Sequence, residues 1–328
     1  MNAVVLYQER DSGIFQEDFP KLRGIFRFLT LYGFEYDFIC NQPPKRGTHY
    51  DLGVVVSREE VRVKCGLYFR FERADEGIPA AIRLRLDEKY PAVRREFKLF
   101  GLAPEEASAL VGGIPRPADL SVTYLTEHRD TAVYARSENP ASVEQFTLML
   151  YQKAGEAVYS DRDESLESCA LELLRLRKKR VCVSESLTGG LISDRIVRLP
   201  GASEVFFEGM VTYHNDSKAA RLGVEERTLR NFGAVSEGTA YEMCRGLMAT
   251  GKADYALSTT GIAGPGGGTN LKPVGTVFIG VANAENIVVF KHCFAGTRDE
   301  VRQLSASYAL WYLIRRIQNN LDYYTIVK

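Results

Sequence analysis

No stretch of this sequence is apolar enough to cross a membrane, and neither sign of charge dominates it. The longest apolar runs, such as the one around Val281–Ala284, fall far short of the roughly 18 residues that a spanning helix needs. The 42 Lys and Arg residues equal the 42 Asp and Glu residues in number, so the formal net charge is zero. A chain-wide basic surface is therefore not expected. We predict that neither a nucleic acid nor a membrane is a partner, although a local basic patch is not excluded.

Cysteine and histidine are scarce and dispersed. The six cysteines form no Cys-x-x-Cys pair, so zinc sites and disulfide frameworks both fit poorly. The N-terminus, Met1–Arg10, has no basic start followed by a long apolar run, which favours a first strand over a signal peptide. We therefore expect a cytoplasmic protein that uses neither a metal nor a cofactor.

The first half of the chain predicts two small units. Residues 1–90 alternate apolar strands with one helix whose apolar spacing spans Phe19–Tyr32, which indicates a small α/β unit. Residues 91–160 follow the order strand, helix, strand, strand, helix, which is typical of a two-layer α+β module. Asp161–Glu164 is a charged hinge. No nucleophile motif or metal-ligand spacing occurs in residues 1–90.

Residues 161–328 predict a third unit, in which strands alternate with helices. Its last strands, Val274–Val281 and Ile287–Cys293, are expected to form a hairpin, and Arg298–Gln318 a long closing helix. This order favours an α/β sandwich with a mixed sheet. Two loops, Ser184–Gly190 and Thr259–Thr269, follow strands, and open α/β sheets bind ligands at that edge.

The glycine cluster Gly261–Gly268 fails the standard nucleotide motifs. No lysine follows it as in a Walker loop, and the neighbouring prolines make a following helix unexpected. A serine nucleophile needs a base. The chain has only four histidines, of which His214 is the best placed for a Ser-His-Asp triad. The alternative base is Lys218, with Tyr213 to orient or relay the proton, because burial can depress the pKa of a lysine.

The segment Ser184-Glu185-Ser186-Leu187-Thr188-Gly189-Gly190 resembles the Ala-Glu-Ser-Cys-Thr-Gly-Gly segment of the CinA family C-terminal domain. Further segments that resemble this family follow in the family order: Pro200–Ser203, Val211–Asn215, Lys218, Leu222–Val224, Gly233–Glu237, Thr260–Gly268, Lys272–Val277 and Gly296–Asp299. The resemblance covers roughly residues 161–328. Phe97–Leu102 and Asp163–Glu167 are similar to the family's small KH-like linking domain.

The resemblance implies an architecture in three parts. It implies a three-layer α/β/α sandwich with a mixed sheet at 161–328, a KH-like linking domain at 91–160, and a reduced N-terminal α/β domain at 1–90. Full-length family members carry a longer molybdopterin-binding-like domain with a Gly-Gly-x-Gly-Pro-Thr-x-Asp-Asp segment, which this sequence lacks. Residues 1–90 are therefore interpreted as a degenerate form of that domain.

The resemblance also implies an activity, nicotinamide-nucleotide amidohydrolase. This enzyme converts nicotinamide mononucleotide and water to nicotinate mononucleotide and ammonia, without a metal or redox cofactor. We expect Ser186 to be the nucleophile and Lys218 the base, with Tyr213 bridging them and Ser203 as the second-choice hydroxyl. We expect the substrate to be bound by a further set of residues: Thr188, Gly189, Thr260, Gly261, Gly264 and Arg298, the last as the phosphate cation.

Two other functions stay open, and so does the assembly. A non-catalytic nucleotide sensor could keep the same pocket without turnover. A metal-dependent ADP-ribose pyrophosphatase is the third hypothesis, although the segment associated with that activity is missing. Ser184, Leu187 and His214 depart from the residues that the family usually has, and none of these changes removes an assigned polar group. The family pattern and the aromatic residues at 25–40 favour a homodimer.

Overall fold

The structure, a computed structural model, describes residues 2–8, 21–22, 24–29, 32–42, 48–57, 61, 63–71, 74, 77–89 and 92–318. The chain divides into two compact units, Met1–Asp163 and Glu164–Lys328. The prediction of three domains at 1–90, 91–160 and 161–328 stays a prediction. None of the described helices is both long and apolar enough to cross a bilayer.

The first unit contains two four-stranded sheets. One is parallel, in the order β2-β1-β3-β4, and the other is antiparallel, in the order β6-β7-β5-β8. The strands are β1 (Asn2–Gln8), β2 (Glu35–Cys40), β3 (Tyr50–Ser57), β4 (Cys65–Phe71), β5 (Val93–Phe100), β6 (Ser121–Glu127), β7 (Asp130–Ser137) and β8 (Val158–Ser160). The helices are α1 (residues 24–29), α2 (Ile78–Lys89), α3 (Pro104–Gly112) and α4 (Pro140–Ala154).

Sequence patterns explain most of this unit. Seven of the eight residues of β3 are buried, as expected of a strand inside a parallel sheet that is covered on both faces. Helix α4 begins at Pro140, because proline fits the first helical position and Asn139 accepts a hydrogen bond from the Ala141 N–H at 3.1 Å. Helix α2 was missed, because Arg and Lys interrupt its apolar positions.

The second unit has one mixed five-stranded sheet in the order β10-β9-β11-β12-β13. Its strands are β9 (Val181–Glu185), β10 (Phe206–Val211), β11 (Tyr255–Gly261), β12 (Thr276–Ala282) and β13 (Ile287–Cys293). Its helices are α5 (Leu166–Leu176), α6 (Leu191–Val197), α7 (Asn215–Leu222), α8 (Glu226–Phe232), α9 (Glu237–Ala249) and α10 (Arg298–Ile317).

The two faces of this sheet are covered by different helices. Helix α9 packs on Cys182, Ala256 and Ala282, together with α7. Helix α10 contacts β11 and β12 and also packs against α5 and α6. Strands β10, β9 and β11 are parallel, whereas β11, β12 and β13 are antiparallel. The predicted mixed α/β fold with a terminal hairpin is therefore confirmed, and the direction of its strands sets where the candidate site lies.

Candidate active site

Three strands end at the same edge of the five-stranded sheet in the second unit. Strands β9, β10 and β11 run parallel, and Glu185 is paired in register with Val211 on one side and with Thr259 on the other. The loops that follow these strands therefore emerge side by side. This is the edge where open α/β sheets place their ligands.

Ser186 follows β9 and lies within hydrogen-bond reach of Lys218. The Lys218 Nζ–Ser186 Oγ distance is 3.1 Å. The Ser186 N–H donates to the Thr259 carbonyl at 2.9 Å, which continues the pairing of β9 with β11 past the strand end. Ser186 is 8% exposed and the Lys218 side chain is fully buried. The structure thus brings together the first two residues of the predicted catalytic set.

Two backbone carbonyls hold the remaining hydrogens of Lys218. Its Nζ donates to the Thr212 oxygen at 2.8 Å and to the Tyr213 oxygen at 3.0 Å. Among the ion pairs of the described residues, none includes Lys218. Burial without a charged partner lowers the pKa of Lys218 to about 8. A substantial neutral fraction of this amine is therefore present near physiological pH.

Lys218 lies on a helix that the sequence analysis missed. Helix α7 begins directly after His214, whose Nδ1 accepts a hydrogen bond from the Asp216 N–H at 3.2 Å. His214 therefore caps the helix. Its side chain is 77% exposed, and none of the hydrogen bonds of Ser186 involves a histidine. The described residues thus form no Ser-His pair at this site.

Tyr213 links to the site through its backbone and to the last helix through its side chain. Its phenol is 59% exposed and accepts a hydrogen bond from Arg298 Nη2 at 3.2 Å. Arg298 Nη1 donates to the Gly264 oxygen at 2.9 Å. The phenol therefore bridges to Arg298, whereas the predicted bridge was between Ser186 and Lys218. Arg298 ties the end of β10 to the glycine-rich loop.

A buried carboxylate organises the first loop. Glu185 is fully buried and accepts hydrogen bonds from the N–H groups of Gly190, Ile192 and Ser193 at 2.9–3.1 Å, and from the Ser193 hydroxyl at 2.7 Å. These donors include the first N–H groups of α6, which have no partner within the helix. Glu185 already satisfies them. Its role was not assigned from the sequence, although an acidic residue at a buried strand end five residues before a helix start was a usable signal.

The remaining residues of the first loop are fixed from two sides. The Thr188 hydroxyl is buried and lies 2.7 Å from that of Thr259. Arg302 Nη2 donates to the Thr188 oxygen at 2.9 Å. Gly189 and Gly190 have φ values of +59° and +97°, which favour glycine. Neither Arg302 nor Thr259 was predicted to belong to the site.

The glycine-rich loop leaves β11 next to this group. The Thr260 hydroxyl is buried and donates to the Ala234 oxygen at 2.7 Å, so its hydrogen is already engaged. Gly261 ends the strand. Gly264 has φ +85°, and a Cβ there would lie 2.6 Å from Val274 Cγ1, so only glycine fits. Lys272 Nζ anchors the far side of the loop on the Phe232 and Val235 oxygens, both at 2.6 Å.

Ser203 lies at the opposite edge of the sheet. It is exposed and belongs to a short turn that precedes β10, whose first residue Phe206 is paired with Val181 at the start of β9. Five residues of β9 separate that edge from Ser186, roughly 17 Å at 3.3 Å per residue. The structure therefore does not join Ser203 to Ser186 and Lys218 within this chain.

Metal ligands do not gather among the residues that the structure describes. No group of three or more His, Cys, Asp or Glu side chains is arranged there to hold a metal ion. The chemistry available at the edge is that of a hydroxyl, an amine, backbone N–H groups and two arginines.

Comparison with known proteins places the second unit in a family. The profile of the CinA C-terminal domain matches residues 163–317. The crystal structure of the competence/damage inducible protein CihA from Agrobacterium tumefaciens is 37% identical and covers 47% of this chain and 93% of its own, with a TM-score of 0.45. Residues 163–317 belong to the CinA C-terminal domain family. The predicted resemblance is confirmed.

Curated CinA relatives match over part of their length. A putative competence-damage inducible protein from Caldicellulosiruptor saccharolyticus is 40% identical over 204 residues, which are 62% of this chain and 48% of that protein. A CinA-like protein from Fusobacterium nucleatum is 36% identical over 220 residues, 66% of this chain and 54% of that protein. The chain thus spans about half the length of the curated relatives that it matches.

Proposed function

We propose that the second unit hydrolyses a carboxamide, with Ser186 as the nucleophile and Lys218 as its base. The substrate that we propose is nicotinamide mononucleotide, and the products are nicotinate mononucleotide and ammonia. The observation that carries the proposal is the 3.1 Å contact between the Lys218 amine and the Ser186 hydroxyl, at the edge of the sheet where β9 ends. The choice of substrate rests on the family resemblance of the surrounding motifs.

The surroundings of Lys218 suit a neutral base. A neutral amine has two N–H donors and one lone pair. The carbonyl oxygens of Thr212 and Tyr213 accept the two N–H hydrogen bonds. The third direction leads to Ser186 Oγ. In the neutral form this leaves the lone pair directed at the serine hydroxyl, as proton abstraction requires. The lowered pKa of Lys218 supplies that form without a second titrating residue.

The proposed reaction has two steps, acylation of Ser186 and hydrolysis of the resulting ester. Ser186 Oγ attacks the amide carbon while Lys218 takes the hydroxyl proton. The protonated lysine then returns that proton to the departing nitrogen, which leaves as ammonia when the C–N bond breaks. Water attacks the resulting ester, again with Lys218 as the base, and releases the carboxylate and the free serine.

Backbone N–H groups next to the nucleophile would stabilise the oxyanion. The N–H groups of Leu187, Thr188 and Gly189 form no hydrogen bond within the part of the chain that the structure describes. They follow Ser186 directly, which is where acyl-transfer sites place such donors. Glu185 and Arg302 hold this loop from opposite ends, so the donors need little reorganisation during the reaction.

Arg298 is the proposed phosphate contact. Its guanidinium lies on the first turn of α10 and touches both Tyr213 and the Gly264 oxygen. It therefore lies between Tyr213, which precedes the helix that carries the base, and the glycine-rich loop. A guanidinium in this position offers the charge and planar donors that phosphate requires. We also assign Thr260 and Gly261, at the end of β11, to substrate binding. No disulfide joins the six cysteines, which is consistent with the reducing cytoplasm in which we place this protein. We propose that it acts there as a homodimer.

The test is ammonia release from nicotinamide mononucleotide by the purified chain, with and without a chelator. We expect saturable release that the chelator does not change. Saturable binding without release would favour the sensor instead. Chelator-sensitive conversion of ADP-ribose to a nucleoside monophosphate, without ammonia release, would favour the pyrophosphatase.

A further inference from the structure

We propose that the first unit carries a binding site for a small phosphate monoester with an apolar body. The site is a cavity of about 370 Å³ between α1, α2 and β5. Its size lies within the range of small-molecule sites. The proposed amide chemistry uses no residue of this unit, so the site is a separate feature of the chain.

The floor of the cavity is aromatic and rigid. Phe28 and Tyr32 line it with Pro79, and both aromatic side chains are 6% exposed. The Tyr32 ring lies 4.2 Å from that of Phe28 and 4.7 Å from that of Tyr134, between ring centroids. Packed rings of this kind give an apolar body a surface to lie on without further ordering.

The rim carries an excess of positive charge. A second cavity of about 370 Å³ adjoins the first and shares Tyr32, Arg83, Glu96 and Asp163 with it. Among the described residues that line the two cavities, five are arginines and three are carboxylates, an excess of two positive charges. The first cavity alone has two of each, so the excess comes from the second cavity. The arginines are Arg27, Arg83, Arg94, Arg95 and Arg162. A phosphate monoester carries about −1.5 to −2 at neutral pH, which matches this excess better than a single carboxylate does.

Contacts with the aromatic floor hold two of these arginines in place. The guanidinium carbons of Arg83 and Arg94 lie 5.7 and 5.8 Å from the centroid of the Tyr32 ring, within the range of cation–π contacts. Arg83 also donates a hydrogen bond to Glu96. The guanidinium groups are therefore positioned before any ligand arrives, which lowers the entropic cost of binding.

Glu96 accepts a hydrogen bond from Arg83 that a bound phosphate would also accept. Burial raises the pKa of Glu96 even though Arg83 lies beside it, so this carboxylate is poorly compensated. An entering phosphate competes with Glu96 for Arg83. Replacement of Glu96 and replacement of Arg83 should therefore change the affinity in opposite directions.

The experiment is calorimetric titration of the full chain with AMP and with phenyl phosphate, two phosphate monoesters with planar bodies. We expect saturable binding that Arg83→Gln weakens at least tenfold and that Glu96→Gln strengthens. Arg116→Gln is the matched control, because it removes the same charge from the same unit but lines neither cavity. Arg298→Gln removes the proposed phosphate contact of the other unit, so the saturable binding that persists in this variant is assigned to the cavity of the first unit.

Three results would overturn the proposal. They are the absence of saturable binding of either ester at millimolar concentration, weakening by Arg298→Gln without weakening by Arg83→Gln, and equal affinity for inorganic phosphate and phenyl phosphate. If Arg83→Gln fails to fold in a thermal melt, Arg27→Gln replaces it, since that side chain is 35% exposed. Ammonia release is not part of the readout, so failure of the amidohydrolase proposal leaves this test intact.

Discussion

The titration of Lys218 gives the sharpest quantitative prediction. If the neutral amine is the base, kcat/KM follows its neutral fraction, because the pH dependence of kcat/KM reports the pKa values of the free enzyme. With a pKa of about 8, that fraction is about one-tenth at pH 7 and about nine-tenths at pH 9. We therefore expect kcat/KM to rise about tenfold across this interval and to level off toward pH 9.

The shape of the profile separates this account from one with an ordinary lysine. With the usual lysine pKa of 10.5, the neutral fraction would rise about a hundredfold between pH 7 and 9 and would still be rising. The assay is initial ammonia release at nicotinamide mononucleotide concentrations well below KM, in buffers of constant ionic strength, so that the rate is proportional to kcat/KM. Lys218→Met is the control and should show neither the rise nor the plateau. A rate that is independent of pH over this range would refute Lys218 as the base.

The same pKa shift affects stability with a sign that can be checked. The lysine of the folded chain loses its proton near pH 8, whereas that of the unfolded chain keeps it until about pH 10.5. Between these values the unfolded state binds more protons, so the free energy of unfolding rises with pH. Relative to Lys218→Met, wild type should gain about 2 kcal/mol between pH 7 and 9.5 in urea unfolding. A difference that stays constant or falls would contradict the buried, unpaired amine.

Three further substitutions test the loops around the site. Glu185→Gln should lower the free energy of unfolding by about 2–3 kcal/mol in urea titration, because the amide cannot accept all four hydrogen bonds; an unchanged midpoint would contradict this role. Gly190→Ala should cost about 1–2 kcal/mol in the same assay, because φ is +97°, whereas Gly112→Ala, which meets no atom within 4 Å, is the control. Arg298→Lys should raise KM for nicotinamide mononucleotide about tenfold or more, with a smaller change in kcat. A larger change in kcat than in KM would contradict the role of Arg298 in substrate binding.

The sequence predicted the frame of the site because the relevant elements have strong local signals. The loop Ser184–Gly190 follows a strand, as expected, since apolar runs and paired glycines constrain the backbone locally. The start of α10 was also predictable: Thr297 and Glu300 form a capping box, a pattern that is readable from sequence spacing.

The features that were missed depend on tertiary contacts. Helix α7 begins with polar residues, and its cap is a histidine, which is not among the preferred cap residues. Lys218 therefore looked like a loop residue. The role of Glu185 could not be predicted from its residue type, because the three N–H groups that donate to it are brought together only by the fold. Thr260 was expected to present its hydroxyl to a ligand, but the carbonyl that accepts its hydrogen bond lies 26 residues earlier in the chain.

Ser203 illustrates a different limit. Its turn was recognised, and its motif lies in the family order, yet the edge of the sheet on which a turn lies depends on strand direction. Because β10 runs parallel to β9, a residue before β10 and a residue after β9 lie at opposite edges. The sequence made both serines candidates, whereas the topology separates them.

A comparison of these two serines tests the central claim most directly. Ser186→Ala and Ser203→Ala make the same chemical change at opposite edges of one sheet, and ammonia release from nicotinamide mononucleotide is measured for both. The Ser186–Lys218 account predicts that Ser186→Ala lowers kcat by at least about a thousandfold, while the exposed Ser203→Ala stays within about twofold of wild type. Near-normal turnover in Ser186→Ala, or an equal loss in both variants, would contradict it.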